Sequence, residues 1–202
     1  NYNVAIGGSA LKSNTIGEEN VAIGTDSLFS NTTGLYNVSV GTSALYANTV
    51  GVGCTGLGHA ALKVCTTGTE NTSVGSFSML ATTVGSGNTA VGNSALSTNV
   101  TGAHNTCLGA NADVSAVDLV NATAIGYGAV VNASNKIKLG NSSVTVIEGQ
   151  VPAAIPSDAR FKVNVKEDVV GLEFIKKLRP VTYNQDRKSQ DMFRYNKFTG
   201  SV

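Results

Sequence analysis

Hydrophobic and small residues return along this chain at a fixed interval of 17 residues. The block Asn3–Gly7 recurs at residues 20–24 and, with similar side chains, at residues 37–41. The glycine that closes each block keeps the interval through eight copies, Gly7, Gly24, Gly41, Gly58, Gly75, Gly92, Gly109 and Gly126. A fixed period without insertions predicts an all-β fold, a parallel β-solenoid or β-roll with one turn per repeat.

A second series of glycines follows the same interval, at Gly17, Gly34, Gly51, Gly68, Gly85 and Gly102. Two glycines in each turn predict two sharp corners, because glycine adopts positive φ at little cost. The residues between the corners are expected to form one short strand in each turn.

Each predicted strand has larger side chains at its first and third positions. The first positions are Val4, Val21, Val38, Thr55, Thr72, Thr89, Thr106 and Thr123, and the third are Ile6, Ile23, Val40, Leu57, Val74, Val91, Leu108 and Ile125. Residues two apart on a strand share a face. We therefore expect both positions to face the core, together with a large apolar residue after the corner, Leu11, Leu28, Leu45, Leu62, Met79 and Leu96.

The middle strand position is always small, at Ala5, Ala22, Ser39, Gly56, Ser73, Ala90, Cys107 and Ala124. A position facing solvent would accept lysine or glutamate, so we interpret this face as packed against a neighbouring copy of the chain and predict a homotrimer. The residue before each leucine is small as well, which close packing within one turn would explain by itself.

Asparagines form two further columns at the same interval. One precedes the strands, at Asn3, Asn20, Asn37, Asn71, Asn88 and Asn105, and the other lies in the loops, at Asn14, Asn31, Asn48 and Asn99. Such side chains are expected to form hydrogen-bonded ladders. Cys54 and Cys65 replace asparagine in the two columns, and Cys107 lies at a middle strand position. The cysteines are interpreted as buried thiols, with a Cys54–Cys65 disulfide as the alternative.

Charge and proline content change near residue 150. Through Gln150 the chain has four lysines and arginines against seven acidic residues, whereas the remainder has ten against six and holds all three prolines. We place a repeat shaft at 1–130, a capping region with strands at 137–140 and 144–147 inside 131–156, and a third segment at 157–202. No dense basic patch, metal-ligand spacing or membrane-length apolar run is present, which argues against nucleic acid, metal, cofactor and membrane insertion.

The repeats resemble the heads of trimeric autotransporter adhesins, and are more similar still to fibre proteins of phages and environmental bacteria. This resemblance covers about residues 1–130. It implies a left-handed parallel β-roll, three chains around one axis and a location on a virion or outside the cell. The chain begins at Asn1, inside a repeat, and is expected to be a fragment or a processed product.

The third segment carries a second resemblance. Residues 157–162 (SDARFK) and 171–183 (GLEFIKKLRPVTY) resemble the start of the intramolecular chaperone domain of phage tail spikes and fibres, of the endosialidase type. The resemblance implies that this segment trimerises the fibre and that Ser157 and Lys162 form a dyad cleaving the chain before Ser157. Alternatively, Ser157 caps a turn and Lys162 is solvated. A short helix at Gly171–Leu178 is predicted to end before Pro180.

Together these patterns favour a structural fibre shaft that supports attachment to a host cell through an unidentified receptor, a glycan being one candidate. A bacterial surface adhesin that binds host or matrix directly is the alternative. Turnover of an external substrate is not expected, because the repeats carry few, scattered acidic residues (Glu18, Glu19, Asp26 and Glu70). The expected chemistry is at most one self-cleavage in a chain with the complete third domain.

Overall fold

The computed structural model describes residues 2–149 of the 202-residue chain. This part is all-β and contains no helix. Its eleven short strands are β1 (Val4–Ile6), β2 (Val21–Ile23), β3 (Val38–Val40), β4 (Thr55–Leu57), β5 (Thr72–Val74), β6 (Thr89–Val91), β7 (Thr106–Leu108), β8 (Asp113–Val114), β9 (Thr123–Ile125), β10 (Val130–Val131) and β11 (Ile137–Leu139). The predicted solenoid is therefore confirmed.

Nine of these strands form one parallel sheet in the order β1-β2-β3-β4-β5-β6-β7-β9-β11. Each strand pairs with the equivalent residues one turn on, as Ala22 pairs with Ser39 and Ser39 with Gly56. From β1 to β9 the register is the 17-residue period itself, so each strand residue lies beside its counterpart in the next turn.

The strand positions that face the interior differ from those predicted. From the second turn onward the small middle residue is buried, and the first and third residues are partly or fully exposed. A Cβ placed on Gly56 would lie 3.2 Å from the Cγ atom of Leu45, so the middle position faces the leucine column of the same chain. The small residues are thus required by packing within the chain, and the expectation that they contact a neighbouring copy is wrong.

The leucine column is the predicted core. Leu28, Leu45, Leu62, Met79 and Leu96 have no exposed surface. Each also has φ between 48° and 52°, in the left-handed region that a leucine normally avoids. That conformation costs about 1–2 kcal/mol per residue, whereas complete burial of such a side chain contributes about 1.5–3 kcal/mol. Burial therefore offsets the backbone strain and holds the corner in place.

The two glycine series are required for different reasons. Gly24 has φ of 128°, and a Cβ on it would lie 2.7 Å from the carbonyl carbon of Gly41 in the next turn. Gly34 lacks a positive φ, but a Cβ there would lie 2.5 Å from the Gly51 carbonyl oxygen. The second corner therefore needs glycine because adjacent turns approach closely, and the expectation of positive φ at that corner is wrong.

Both predicted asparagine ladders are present. The Asn20 side-chain amide donates to the Gly34 carbonyl at 2.8 Å, and its Oδ1 accepts the backbone N–H of Asn37 at 3.0 Å. In the loop column, Asn31 donates to Oδ1 of Asn14 at 2.8 Å and to the Gly34 carbonyl at 3.2 Å. Two amides thus converge on one glycine carbonyl in a turn, an arrangement called a rung below.

The repeat ends with shorter turns. β8 and β10 form a separate two-stranded parallel sheet, while β11 joins the main sheet 14 residues after β9. The predicted strand near residue 137 is therefore confirmed. Residues 144–147, which were also predicted to form a strand, do not form one. The segment 157–202 lies outside the described residues.

Substituting two neighbouring residues of β6 tests which face of the strand is internal. Ala90→Leu should lower the free energy of unfolding by about 1–3 kcal/mol, because it overpacks the interior. Val91→Leu, at a position that is 40% exposed, should change it by less than about 0.5 kcal/mol. Urea denaturation followed by circular dichroism, at matched protein concentration, measures both. Equal stability of the two variants would contradict the assignment of the inner face.

Candidate functional site

The outward face of the main sheet carries a continuous column of aliphatic residues beside a column of valines and threonines. We call the first and third positions of strands β1 to β7 and β9 the outer face. The third positions are isoleucine, valine or leucine in every one of these strands, and the first positions are valine or threonine. The outer face therefore carries no charged side chain.

Its exposure is high for such apolar residues. Ile6 is 58% exposed, Leu57 45% and Ile125 40%, whereas Ile23, Val40 and Val74 are partly buried. With strands spaced about 4.8 Å apart, nine strands extend the sheet over about 38 Å. Contiguous apolar surface of this kind is typical of an interaction site, whereas scattered apolar residues on a surface are ordinary.

The sequence contained a signal for this face that the initial interpretation missed. Five of the eight first positions are threonine. In a core column each of those hydroxyls would need a buried hydrogen-bond partner, whereas on an exposed face it can bond to water. The threonines instead lie on the side of the sheet that is exposed in the single chain.

A short aromatic stack on another side of the solenoid has a structural explanation. The rings of Phe29 and Tyr46 are stacked with their centroids 5.1 Å apart. The Lys12 ammonium nitrogen lies 5.4 Å from the centroid of the Phe29 ring. Since both faces of Phe29 are occupied by neighbours in the chain, this ring is not an open platform for stacking a sugar.

Cys54 and Cys65 lie together in the interior, as predicted. Both side chains are completely buried, and both sulfur atoms approach the carbonyl oxygen of Gly68, at 3.2 Å from Cys54 and 3.9 Å from Cys65. These are the places that two asparagine amides occupy on the Gly34 and Gly51 carbonyls. Both sulfur atoms are present as free thiols in this structure.

The surroundings make the two thiols chemically unlike. Hydrogen bonding from the Cys65 thiol lowers the pKa of Cys54, and the backbone and side-chain amides of Asn71 act in the same direction against the opposing effect of burial. The pKa of Cys65 is raised, first by its hydrogen bond to Cys54 and then by burial. Cys54 is therefore the sulfur that more readily becomes a thiolate.

Cys107 lies elsewhere, at the middle position of β7. It is buried, free and separate from the other two cysteines, as predicted for its own chain. It faces the interior and not a neighbouring copy, because the middle strand position is the inner one. Burial raises the pKa of Cys107 to about 12, and the negative charge of Asp113 adds to this shift.

The predicted dyad of Ser157 and Lys162 lies outside the described residues, as does the predicted helix at 171–178. Residues 2–149 contain no group of three or more histidine, cysteine or acidic side chains arranged to hold a metal ion. Within the same range, no helix has the length and apolar character that crossing a membrane would require.

Comparison with protein-family models, with curated proteins and with solved structures finds no match to this chain.

The raised pKa of Cys107 predicts a loss of stability in alkali. An unfolded chain releases this proton above pH 9, the ordinary value, whereas the folded chain keeps it until about pH 12. Stability should therefore fall as pH rises through this window, by about 1 kcal/mol per pH unit from this group.

The matched variant is Cys107→Ala, because Ala90 and Ala124 occupy the same position in the adjacent strands. Urea denaturation of both proteins between pH 8 and pH 11 measures the difference. As pH rises, the free energy of unfolding of the variant should increase relative to that of the parent. A difference that does not change with pH would contradict the raised pKa of Cys107.

Proposed function

We propose that this chain is the shaft of a homotrimeric extracellular fibre, a phage tail fibre or similar appendage that supports attachment to a host cell. The observation that carries the proposal is the outer face, an uncharged and largely aliphatic surface repeated in eight strands of one parallel sheet. The resemblance of the repeats to trimeric fibre and adhesin heads supports it.

Burial of the outer face would be energetically favourable. Removing apolar surface from water contributes about 25 cal/mol per Å², and an exposed row of this length would otherwise promote disordered association. Copies of the same chain suit this surface, because each repeats the same residues every 17 positions. In a parallel arrangement, every turn of one copy can meet its counterpart in the next.

Three copies around an axis also allow the shaft to remain narrow and uniform. The outer face lies on one side of each chain, and closed symmetry covers it in every copy without leaving a copy unpaired. In the proposal the sheet faces line the axis, while the loops on the far side point outward and are free to support receptor-binding elements. The receptor is an unidentified cell-surface molecule, with a glycan as one candidate.

The segment 157–202 has the role of promoting trimer assembly in this proposal. Its support is the resemblance to intramolecular chaperone domains and a physical requirement of parallel solenoids. Such folds form from contacts distant in sequence, which makes their folding slow. Identical turns also offer many shifted pairings, so a segment that first brings three chains together in register would prevent misalignment.

The oligomeric state can be tested by replacing two valines, one on the outer face and one outside the strands. Light scattering on the 202-residue chain should give three times its mass of 20.6 kDa. Val91→Glu, on the outer face, should reduce the mass towards that of one chain because it would bury a charge. Val84→Glu is the control, since Val84 is exposed to a similar degree, 48% against 40%, but lies outside the strands.

Circular dichroism of both variants separates loss of assembly from loss of fold. A parent protein that is monomeric would overturn the trimer, and equal masses of the two folded variants would remove the outer face as its interface.

Self-cleavage is tested on a chain that carries the complete C-terminal domain. Mass spectrometry should find the chain cut between Pro156 and Ser157, after Lys162 removes the proton of the Ser157 hydroxyl. That oxygen would attack the Pro156 carbonyl, and water would hydrolyse the resulting ester. Ser157→Ala and Lys162→Ala should both remain intact. Cleavage in both variants would refute the dyad.

A further inference from the structure

One rung of the asparagine ladders has lost both of its amides. At Gly34, Gly51 and Gly102 the two amides come from both columns. At Gly68 they are replaced together by the two thiols. The loop column also contains a single replacement, Thr82, whose hydroxyl donates to the carbonyl of Asn99 at 3.1 Å. The Gly85 carbonyl of that rung keeps the amide of Asn71 at 2.7 Å, whereas the Gly68 carbonyl is approached only by the two thiols.

The thiol pair is a poor substitute for the amides as long as it stays reduced. A thiol is only a weak donor and a weak acceptor, so Cys54 makes the two contacts of the Asn20 amide, to the Gly68 carbonyl and from the backbone N–H of Asn71, more weakly than an amide would. Two thiols in one buried rung therefore lose hydrogen-bonding strength at two adjacent sites. Joining the two sulfur atoms covalently would compensate for this loss, because it adds a bond between the strand side and the loop side of a turn.

We propose that Cys54 and Cys65 form a disulfide that fastens this turn of the solenoid, and that it forms while the chain folds. The geometric support is their convergence on the single carbonyl oxygen of Gly68 within a sealed interior. The disulfide would close a loop that spans the strand β4 and the following corner. It would thus tie together the two sides of one turn without crossing to another.

The chemistry is a thiol–disulfide exchange with a small disulfide oxidant such as oxidised glutathione. The Cys54 thiolate attacks one oxidant sulfur, forms a mixed disulfide and releases one glutathione thiolate. The Cys65 thiol then gives up its proton, and its sulfur attacks the Cys54 sulfur and releases the second glutathione. Two electrons pass from the cysteine pair to the oxidant, and the two protons of the cysteines end on the two glutathione molecules.

The order of reactivity agrees with the surroundings of the two sulfur atoms. In a turn that is formed but still open to the oxidant, the Cys65 thiol lowers the pKa of Cys54, which favours Cys54 as the first nucleophile, and Cys65 keeps its proton until the second step. Neither side chain is exposed in the folded turn, so the oxidant has access only before the turn closes or when it opens. Once formed, the disulfide is shielded from reductants by the same burial.

The test uses the full chain, refolded with a mixture of reduced and oxidised glutathione and then unfolded in an alkylating reagent without reductant. The same alkylation is applied to chain secreted into an oxidising compartment, so that the result does not depend on refolding yield. Mass spectrometry should find one alkyl group per chain, on Cys107, a mass lower by two hydrogens, and a peptide linking Cys54 to Cys65. Three alkyl groups per chain in both preparations would overturn the proposal.

The control is the double variant Cys54→Asn with Cys65→Asn, which restores the rung of the neighbouring turns. It should fold, as judged by circular dichroism, and its melting temperature should not respond to reductant. The parent should lose roughly 5 °C or more when it is unfolded in the presence of a strong reductant. A parent whose melting temperature is the same with and without reductant, or cross-links that join Cys107 to another chain, would count against the pair.

Discussion

The structure depends on one constraint, which is that each turn lies directly against the next with equivalent positions of the repeat paired. Parallel pairing at a step of 17 residues places every backbone amide opposite its counterpart. The consequence is crowding, because a Cβ on Gly24 or Gly34 would overlap the backbone of the following turn. The glycines, the small interior residues and the stacked amides are all responses to this close approach.

The same constraint explains why the interior has little room for side chains. A leucine from one side of the turn reaches the strand opposite, leaving room only for alanine, serine, glycine or cysteine at the middle position. Serine is accepted because its hydroxyl finds a carbonyl, as Ser39 does on Ala44 at 2.9 Å. The larger aliphatic side chains cannot fit inside and are directed outward. The fold itself therefore generates the apolar outer face that forms the interface of the proposed trimer.

Hydrogen-bonded amides and the proposed disulfide are two solutions to one problem at the second corner. Asparagine satisfies the glycine carbonyl and the backbone N–H of the next turn with one side chain. At the end of the loop column the Oδ1 of Asn99 has no partner, and Ala116 stands where the next amide would be. At the break before Cys65 the Oδ1 of Asn48 instead accepts the backbone N–H of Gly51 at 2.9 Å. A covalent link between Cys54 and Cys65 would need no amide from the neighbouring turns.

The sequence by itself determined the period, the parallel register, the leucine column, the asparagine ladders and the meeting of Cys54 with Cys65, because a strict repeat stacks equivalent residues. It did not determine which side of the strand faces inward. Alternation shows that Val21 and Ile23 share a face, but the direction of that face depends on how the chain turns at the corners. Only the tertiary structure decided this, because Leu28 adopts a positive φ and fills the interior against the middle position of the strand, leaving no space for a second large side chain.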